Sequence, residues 1–383
     1  MKVLISASSC APGDSRAAGA AWAWCRAAAL QHDVWLLTTS ESAAAIAREL
    51  AERPLPGLTV LPLDVPWRHR HRWSGPIWQR HANQEALRLH ERHGFAVIHH
   101  LTAGPMGAAD AAARPATAKV VWGPVGLSTA VPLTLARWLG PAGLVAELVR
   151  RAGAALVFSL YGRRAARQAD LVVAQDNDVA GLLGRATRVV VEPAVAVRPV
   201  SSAGGPSGRA GATGTRTAVF AGRLVPDKGL LLAISALARP AAARWELRVM
   251  GDGPEWRRAE RLAEHLGVRD RIEFRGEVPR QQILAALLRA DALVAPWLQA
   301  PAAWTVADAL ARGCPVVCLD RGAPAALVGP GEGVVVPWRG DVVAAFAKAL
   351  GSLAGRIEPV ARWSPDRLPE ILAGWYSPEH ARR

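Results

Sequence analysis

A chain of 383 residues with 51% hydrophobic and 20% charged residues is long enough for two domains and too apolar to be disordered beyond short segments. Its formal charge of +14 is scattered over both halves and matches no DNA- or RNA-reading motif, so nucleic acid is not an expected partner and the excess suits diphosphates, anionic lipids or acidic glycans. Cys10, Cys25, Cys314 and Cys318 show neither CxxC pairing nor a histidine at zinc spacing, which reads as four buried thiols in a reducing, cytoplasmic setting.

The opening MKVLISASSC lacks a signal peptide's long apolar run and reads directly as a strand. Short β-rich runs then alternate with Ala/Leu/Arg segments of helical period, the pattern of parallel βαβ units. The expected strands of the first half are 2–7, 33–38, 58–63, 95–100, 118–123, 170–175 and 188–193. Nearly all end in Ser, Thr, His, Gly or Gln, at the edge where an open parallel sheet receives ligands. Gly19 opens the helix after the first strand, His99 and His100 end the fourth, and the fifth runs into a loop holding Gly123, Pro124 and Gly126. Adjacent strand residues point to opposite faces, so only one of the two histidines can face a given site. The longest uncharged apolar stretch, 152–162, is well short of the ~20 residues of a spanning helix.

Residues 201–215, SSAGGPSGRAGATGT, have no periodicity and read as a flexible connection. The alternation restarts with strands at 217–222, 245–250, 271–276, 291–296, 315–320 and 333–337. GRLVPDKGL (222–230) follows the first of these, offering Gly222 at the turn, Arg223 as a fork for two phosphate oxygens and Lys228 as a point charge near a helix start. Only four of the 46 basic residues are lysines, and one stands here. MGDGPEW carries Gly251 and Asp252, and FRGEVPRQQI carries Glu277 and Val278. APWLQAPAAWTVADALARGCPVV (295–317) gives a strand, a loop with Ala300, and a helix from near Ala302 with Trp304, Thr305 and Asp308. The organisation expected is a domain at 1–200, a linker at 201–215, a second domain at 216–355, and a tail at 356–383 whose helix crosses back to the first domain.

In this order the second-half segments resemble the family 4 glycosyltransferases, retaining enzymes of the GT-B fold, whose Gly-Arg-Leu-x-x-x-Lys-Gly segment binds the donor's diphosphate. SASSCAPGDSRAAGAAWAW (6–24), VIHHLTAGPMG (97–107) and WGPVG (122–126) are similar to a branch of the same family. The resemblance implies an α/β protein of two doubly wound Rossmann-like domains with an interdomain cleft. It implies sugar transfer from a nucleotide-diphosphate donor, with donor contacts at Gly19, Gly222, Arg223, Lys228, Gly251, Asp252, Glu277, Val278, Ala300, Trp304, Thr305 and Asp308. It further implies acceptor-side contacts at Gly123, Pro124 and Gly126 and a functional histidine at His99, with His100 close behind. The acceptor would be a glycan, a lipid-linked sugar or a natural product. No acidic pair fit for Mg²⁺ accompanies these motifs, so neither metal nor cofactor is expected.

The chain departs from the family where paired glutamates fall on Ala300 and Asp308. A neighbour such as Gln299 replaces the lost carboxylate, or the donor sugar lacks the matching hydroxyl, or catalysis is impaired. The last alternative leaves a non-catalytic GT-B subunit, and an epimerase on the same fold is a further rival. WRHRHRW (67–73) and the apolar-basic segment 133–167 suggest peripheral contact with an anionic membrane.

Overall fold

The computed structural model describes residues 1–13, 17–64, 74–101, 117–127, 129–184, 188–200, 214–300 and 302–377. The motif residues 67–73 and 102–107, Ser128, and 201–213 of the expected linker lie outside these. The chain divides into two compact units, one of Met1–Ser128, Arg151–Ala196 and Ser364–Arg383, the other of Thr129–Arg150 and Val197–Trp363.

The first unit holds a parallel sheet of seven strands: β1 (Lys2–Ser6), β2 (Asp33–Thr38), β3 (Leu58–Pro62), β4 (Val97–His100), β5 (Lys119–Val125), β6 (Leu171–Ala174) and β7 (Val189–Val191), in the order β3-β2-β1-β4-β5-β6-β7. Its central strands are continuous Val/Ile/Leu runs because both faces are covered by helices. On one face Val3, Ile5, Val97, Val121 and Val173 pack under the helices Ala17–Ala29 and Leu368–Tyr376. On the other, Leu4 and Ile98 meet Ala86 and Leu89 of the helix Ser74–His93. The chain's last helix is a full member of this core: Leu368, Leu372, Trp375 and Tyr376 are buried, and Trp375 stacks on Trp24 with ring centroids 4.8 Å apart. Each such side chain contributes roughly 1.5–3 kcal/mol by leaving water.

The second unit repeats the plan with β8 (Arg216–Ala221), β9 (Trp245–Met250), β10 (Ile272–Phe274), β11 (Ala292–Ala295), β12 (Val316–Leu319) and β13 (Gly333–Val336), ordered β10-β9-β8-β11-β12-β13. Leu230–Leu237 forms the helix after β8, buried at seven of its eight positions. Pro240, which lacks an N–H, follows its end.

All thirteen expected strands are present, and both sheets are parallel. The unit boundaries differ from the sequence expectation at 129–150, which groups with the second unit instead of the first. The cause is packing: Val131, Leu135 and Leu139 join the second core beside Leu231 and Phe220. Polar contacts fix the same segment, as Arg321 donates to Thr129 Oγ1 (3.2 Å) and to the Ala130 carbonyl (2.9 Å).

Candidate functional site

In a doubly wound sheet the chain order reverses at one point, and the loops leaving the strand ends there diverge to open a crevice. In the second unit the reversal lies between β8 and β11. The loop after β8 begins at Gly222 (φ 148°), continues through the 3₁₀ turn Pro226–Lys228 and reaches Gly229 (φ 66°) before the helix. Glycine is required at 229 on two counts, since a Cβ there would stand 2.1 Å from the Pro296 carbonyl oxygen after β11. The Leu298 N–H donates to the Asp227 carbonyl at 2.8 Å, joining the two loops across the reversal.

Onto this backbone the chain places its cations. Lys228 is half-buried with its Nζ 4.3 Å from the centre of the Trp297 ring. Burial lowers its ammonium from the ordinary 10.5, while Asp227 raises it and Arg223 lowers it further. A desolvated cation held on an aromatic face is a strong partner for an arriving anion. Arg223 is exposed, and its guanidinium makes no hydrogen bond or ion pair with the described residues. The neighbouring strand end is equally bare: a Cβ on Gly251 would lie 1.9 Å from the Gly222 oxygen, whereas a Cβ on Gly222 would meet nothing within 4 Å. Gly251 thus lets β8 and β9 end in backbone contact, and Gly222 faces open space. Asp252 and Glu277 are exposed and Val278 is half-buried. The Asp252 carboxylate caps the Gly253 N–H at 2.7 Å.

The remaining expected contacts are committed within the unit. Asp308 is 2% exposed and lies 2.6 Å from Arg280 and 3.5 Å from Arg312. Burial raises its carboxyl and the two guanidiniums oppose the rise. Its helix is Trp304–Leu310, starting two residues later than the sequence suggests, with Trp304 and Thr305 half-buried at its opening. Ala300 is buried, with its carbonyl accepting from the Ala323 N–H at 3.1 Å. Gln299, the suggested substitute for the missing glutamate, spends its amide on the Thr129 carbonyl (2.6 Å) and on Glu147 (3.3 Å).

In the first unit the reversal lies between β1 and β4, where Ser6 and His100 are register partners. His100 Nδ1 is 2.7 Å from Ser6 Oγ and 3.5 Å from Gln79 Nε2, and the Gln79 amide also donates to Asn83 Oδ1 at 3.1 Å. An amide N–H arriving at Nδ1 leaves the proton on Nε2. That Nε2–H and the Asn83 Nδ2 are buried without a partner among the described residues, two donors of the kind a ligand oxygen satisfies.

His99 sits on the opposite face with both nitrogens engaged. Its Nε2 is 2.8 Å from the Gly123 carbonyl and its Nδ1 is 2.7 Å from Tyr376 Oη. A carbonyl only accepts, so Nε2 carries the proton and Nδ1 accepts from the phenol. Burial lowers His99 to about 4 and His100 to about 3, the latter with help from His99. His99 is therefore tied on both nitrogens within the first unit, whereas the His100 Nε2 has no partner among the described residues. Gly123 belongs to the same tie: its peptide to Pro124 is cis, and a Cβ on it would lie 2.2 Å from the Val173 oxygen. Gly126 is buried, and Gly19 is half-buried in the first turn of its helix. The sequence reading did not single out Trp297 and Arg280, although both lie within segments it quoted, nor Gln79, Asn83 and Tyr376, which lie in no recognisable motif.

Residues 209–355 match the family model described as glycosyl transferases group 1. Among curated relatives, the chain is 35% identical over 145 residues to an exopolysaccharide phosphotransferase of Streptomyces coelicolor, covering 37% of this chain and 15% of that protein. It is 29% identical over 291 residues to a GDP-mannose-dependent alpha-(1-6)-phosphatidylinositol monomannoside mannosyltransferase of Mycolicibacterium smegmatis, covering 62% and 76% respectively. The chain thus spans well under two thirds of the first of these relatives. The solved lipopolysaccharide outer core galactosyltransferase WaaB superposes over 100% of this chain and 97% of its own, with a TM-score of 0.57 at 13% identity, a likeness of fold. The whole chain thus has the GT-B fold, and its residues 209–355 match the group 1 glycosyl transferases.

Proposed function

We propose that this protein transfers a sugar from a nucleotide-diphosphate donor to a hydroxyl acceptor, with retention at the anomeric carbon and without a metal ion. The observation that carries the reading is the Lys228 ammonium held on Trp297 at the β8/β11 reversal, beside exposed Arg223 and the open face of Gly222. As the anomeric C–O bond breaks, negative charge gathers on the departing diphosphate, and the held Lys228 together with Arg223 stabilises it more than the bound donor. The acceptor oxygen then bonds to the same face of the sugar, and its proton passes to the leaving phosphate. The cations take the place a bound Mg²⁺ holds in other transferases. A nucleotide-sugar donor accords with the GDP-mannose dependence in the mycobacterial relative's name.

The test is binding and turnover together. Lys228→Ala removes a charge-assisted contact worth ~1.5–3 kcal/mol, so nucleoside-diphosphate affinity falls at least about tenfold by calorimetry. Transfer from a panel of nucleotide-sugars proceeds in the presence of EDTA. Unchanged affinity in both Lys228→Ala and Arg223→Ala refutes the diphosphate clamp, and abolition of transfer by EDTA refutes metal independence.

Buried Ala300 and the engaged Gln299 amide favour a second reading, a nucleotide-sugar-binding subunit without turnover. Donor binding with neither transfer nor hydrolysis supports it, and Ala300→Glu then tests whether the carboxylate alone restores chemistry.

A further inference from the structure

The helix Gly140–Val157 is folded with its apolar stripe turned outward. Val145, Leu148, Val149 and Leu156 are 62%, 52%, 69% and 60% exposed, and their spacing puts them on one side of the helix with exposed Ala152 between. The inward side is instead small and polar. A Cβ on Gly143 would stand 3.2 Å from Pro226 Cβ, and Glu147 is buried, accepting from the Val131 N–H at 2.9 Å and pairing with Arg150 at 2.7 Å. In water an amphipathic helix normally hides its stripe against the core. Leu133, 79% exposed, opens the preceding 3₁₀ turn Leu133–Trp138.

The segment of sequence that carries this helix is basic. From 129 to 168 the chain carries six arginines and a single acidic residue, Glu147, whose carboxylate is turned inward. Arg137, Arg163, Arg164 and Arg167 are exposed. A second copy of the chain is a poor occupant, because a two-fold interface would bring this basic segment against its own copy. The helix also contains Glu147, Arg150 and Arg151, and no helix among the described residues is long and apolar enough to cross a membrane.

We propose that this helix face is a membrane-docking surface, lying in the headgroup plane of an anionic leaflet with Val145, Leu148 and Val149 inserted and Arg137 on lipid phosphates. Apolar insertion and electrostatic attraction act together in such helices, and each basic residue near an anionic surface adds to binding.

The experiment is co-sedimentation of the full chain with vesicles of phosphatidylcholine alone or with ~30% phosphatidylglycerol, the arms chosen because anionic lipid sets the surface potential. Wild type pellets with the anionic vesicles, stays in solution with the neutral ones, and is released by a tenfold rise in salt. The double change Leu148→Glu with Val149→Glu lowers partitioning about a hundredfold, since two inserted aliphatic groups become charges. Arg137→Glu lowers it about tenfold. Both variants keep the wild-type unfolding temperature, because the altered side chains touch solvent. Absence of wild type from anionic vesicles at low salt overturns the proposal, as does wild-type partitioning by the double variant. A dimer in solution that the double variant loses, without vesicle binding, assigns the face to a second copy instead.

Discussion

Tyr376→Phe isolates one hydrogen bond that ties the chain's last helix to the end of β4. The phenol donates to His99 Nδ1 at 2.7 Å in a place where both residues are buried, and burial keeps it protonated by raising it well above its ordinary 10. His99 cannot compensate by moving its proton to Nδ1, because Nε2–H is required by the Gly123 carbonyl at 2.8 Å. Removing the hydroxyl therefore leaves a buried acceptor bare, at a cost of ~1–3 kcal/mol. The ring and its edge-on contact with His99, 5.7 Å between centroids, persist, so no large cavity term is added. The loss is local to the first unit and a single global unfolding curve would blur it. Hydrogen–deuterium exchange read on peptides covering 97–101 and 368–377 resolves it: protection in both falls about 5- to 150-fold, following the same free energy. Unchanged protection in these peptides would show that the Tyr376–His99 bond contributes nothing and that stacking on Trp24 alone holds the helix.

Two further outcomes follow from the same geometry. His99 and His100 are neutral in the folded unit, at about 4 and about 3 against an ordinary 6.5, so the unfolded chain binds protons that the folded one refuses; stability is complete above about pH 6.5 and falls as pH drops toward 4, with a slope approaching ~2.7 kcal/mol per pH unit for two groups. Denaturation midpoints between pH 8 and 4.5 check this, and a flat profile refutes the buried neutral pair. Gly251→Ala meets the Gly222 oxygen at 1.9 Å whereas Gly222→Ala meets no atom within 4 Å; the second carries only the ~1–3 kcal/mol of an unfavourable backbone conformation, so its unfolding temperature stays well above that of Gly251→Ala, and equal temperatures would contradict the strand-end contact.

The sequence by itself determined the two parallel sheets, because a strand buried on both faces needs a run of Val, Ile and Leu that is visible without its neighbours. It also determined the stretch from Gly222 to Lys228, because a strand end, a glycine turn and a helix start are all local. What it left open depends on contacts between residues far apart in the chain. Whether 129–150 belongs to the first or the second sheet was decided by Leu135 and Leu139 joining a core with Leu231 and Leu298, by Glu147 meeting Gln299, and by Thr129 and Ala130 accepting from Arg321. The roles of His99 and His100 look alike in the sequence, and alternation says only that they diverge. The tertiary structure separated them by laying Tyr376, 277 residues later, against one and leaving the other's Nε2 without a partner among the described residues. Trp297 likewise comes under the Lys228 ammonium only because β11 lies next to β8 in the sheet, and a sequence lists residues in chain order while electrostatics acts through space.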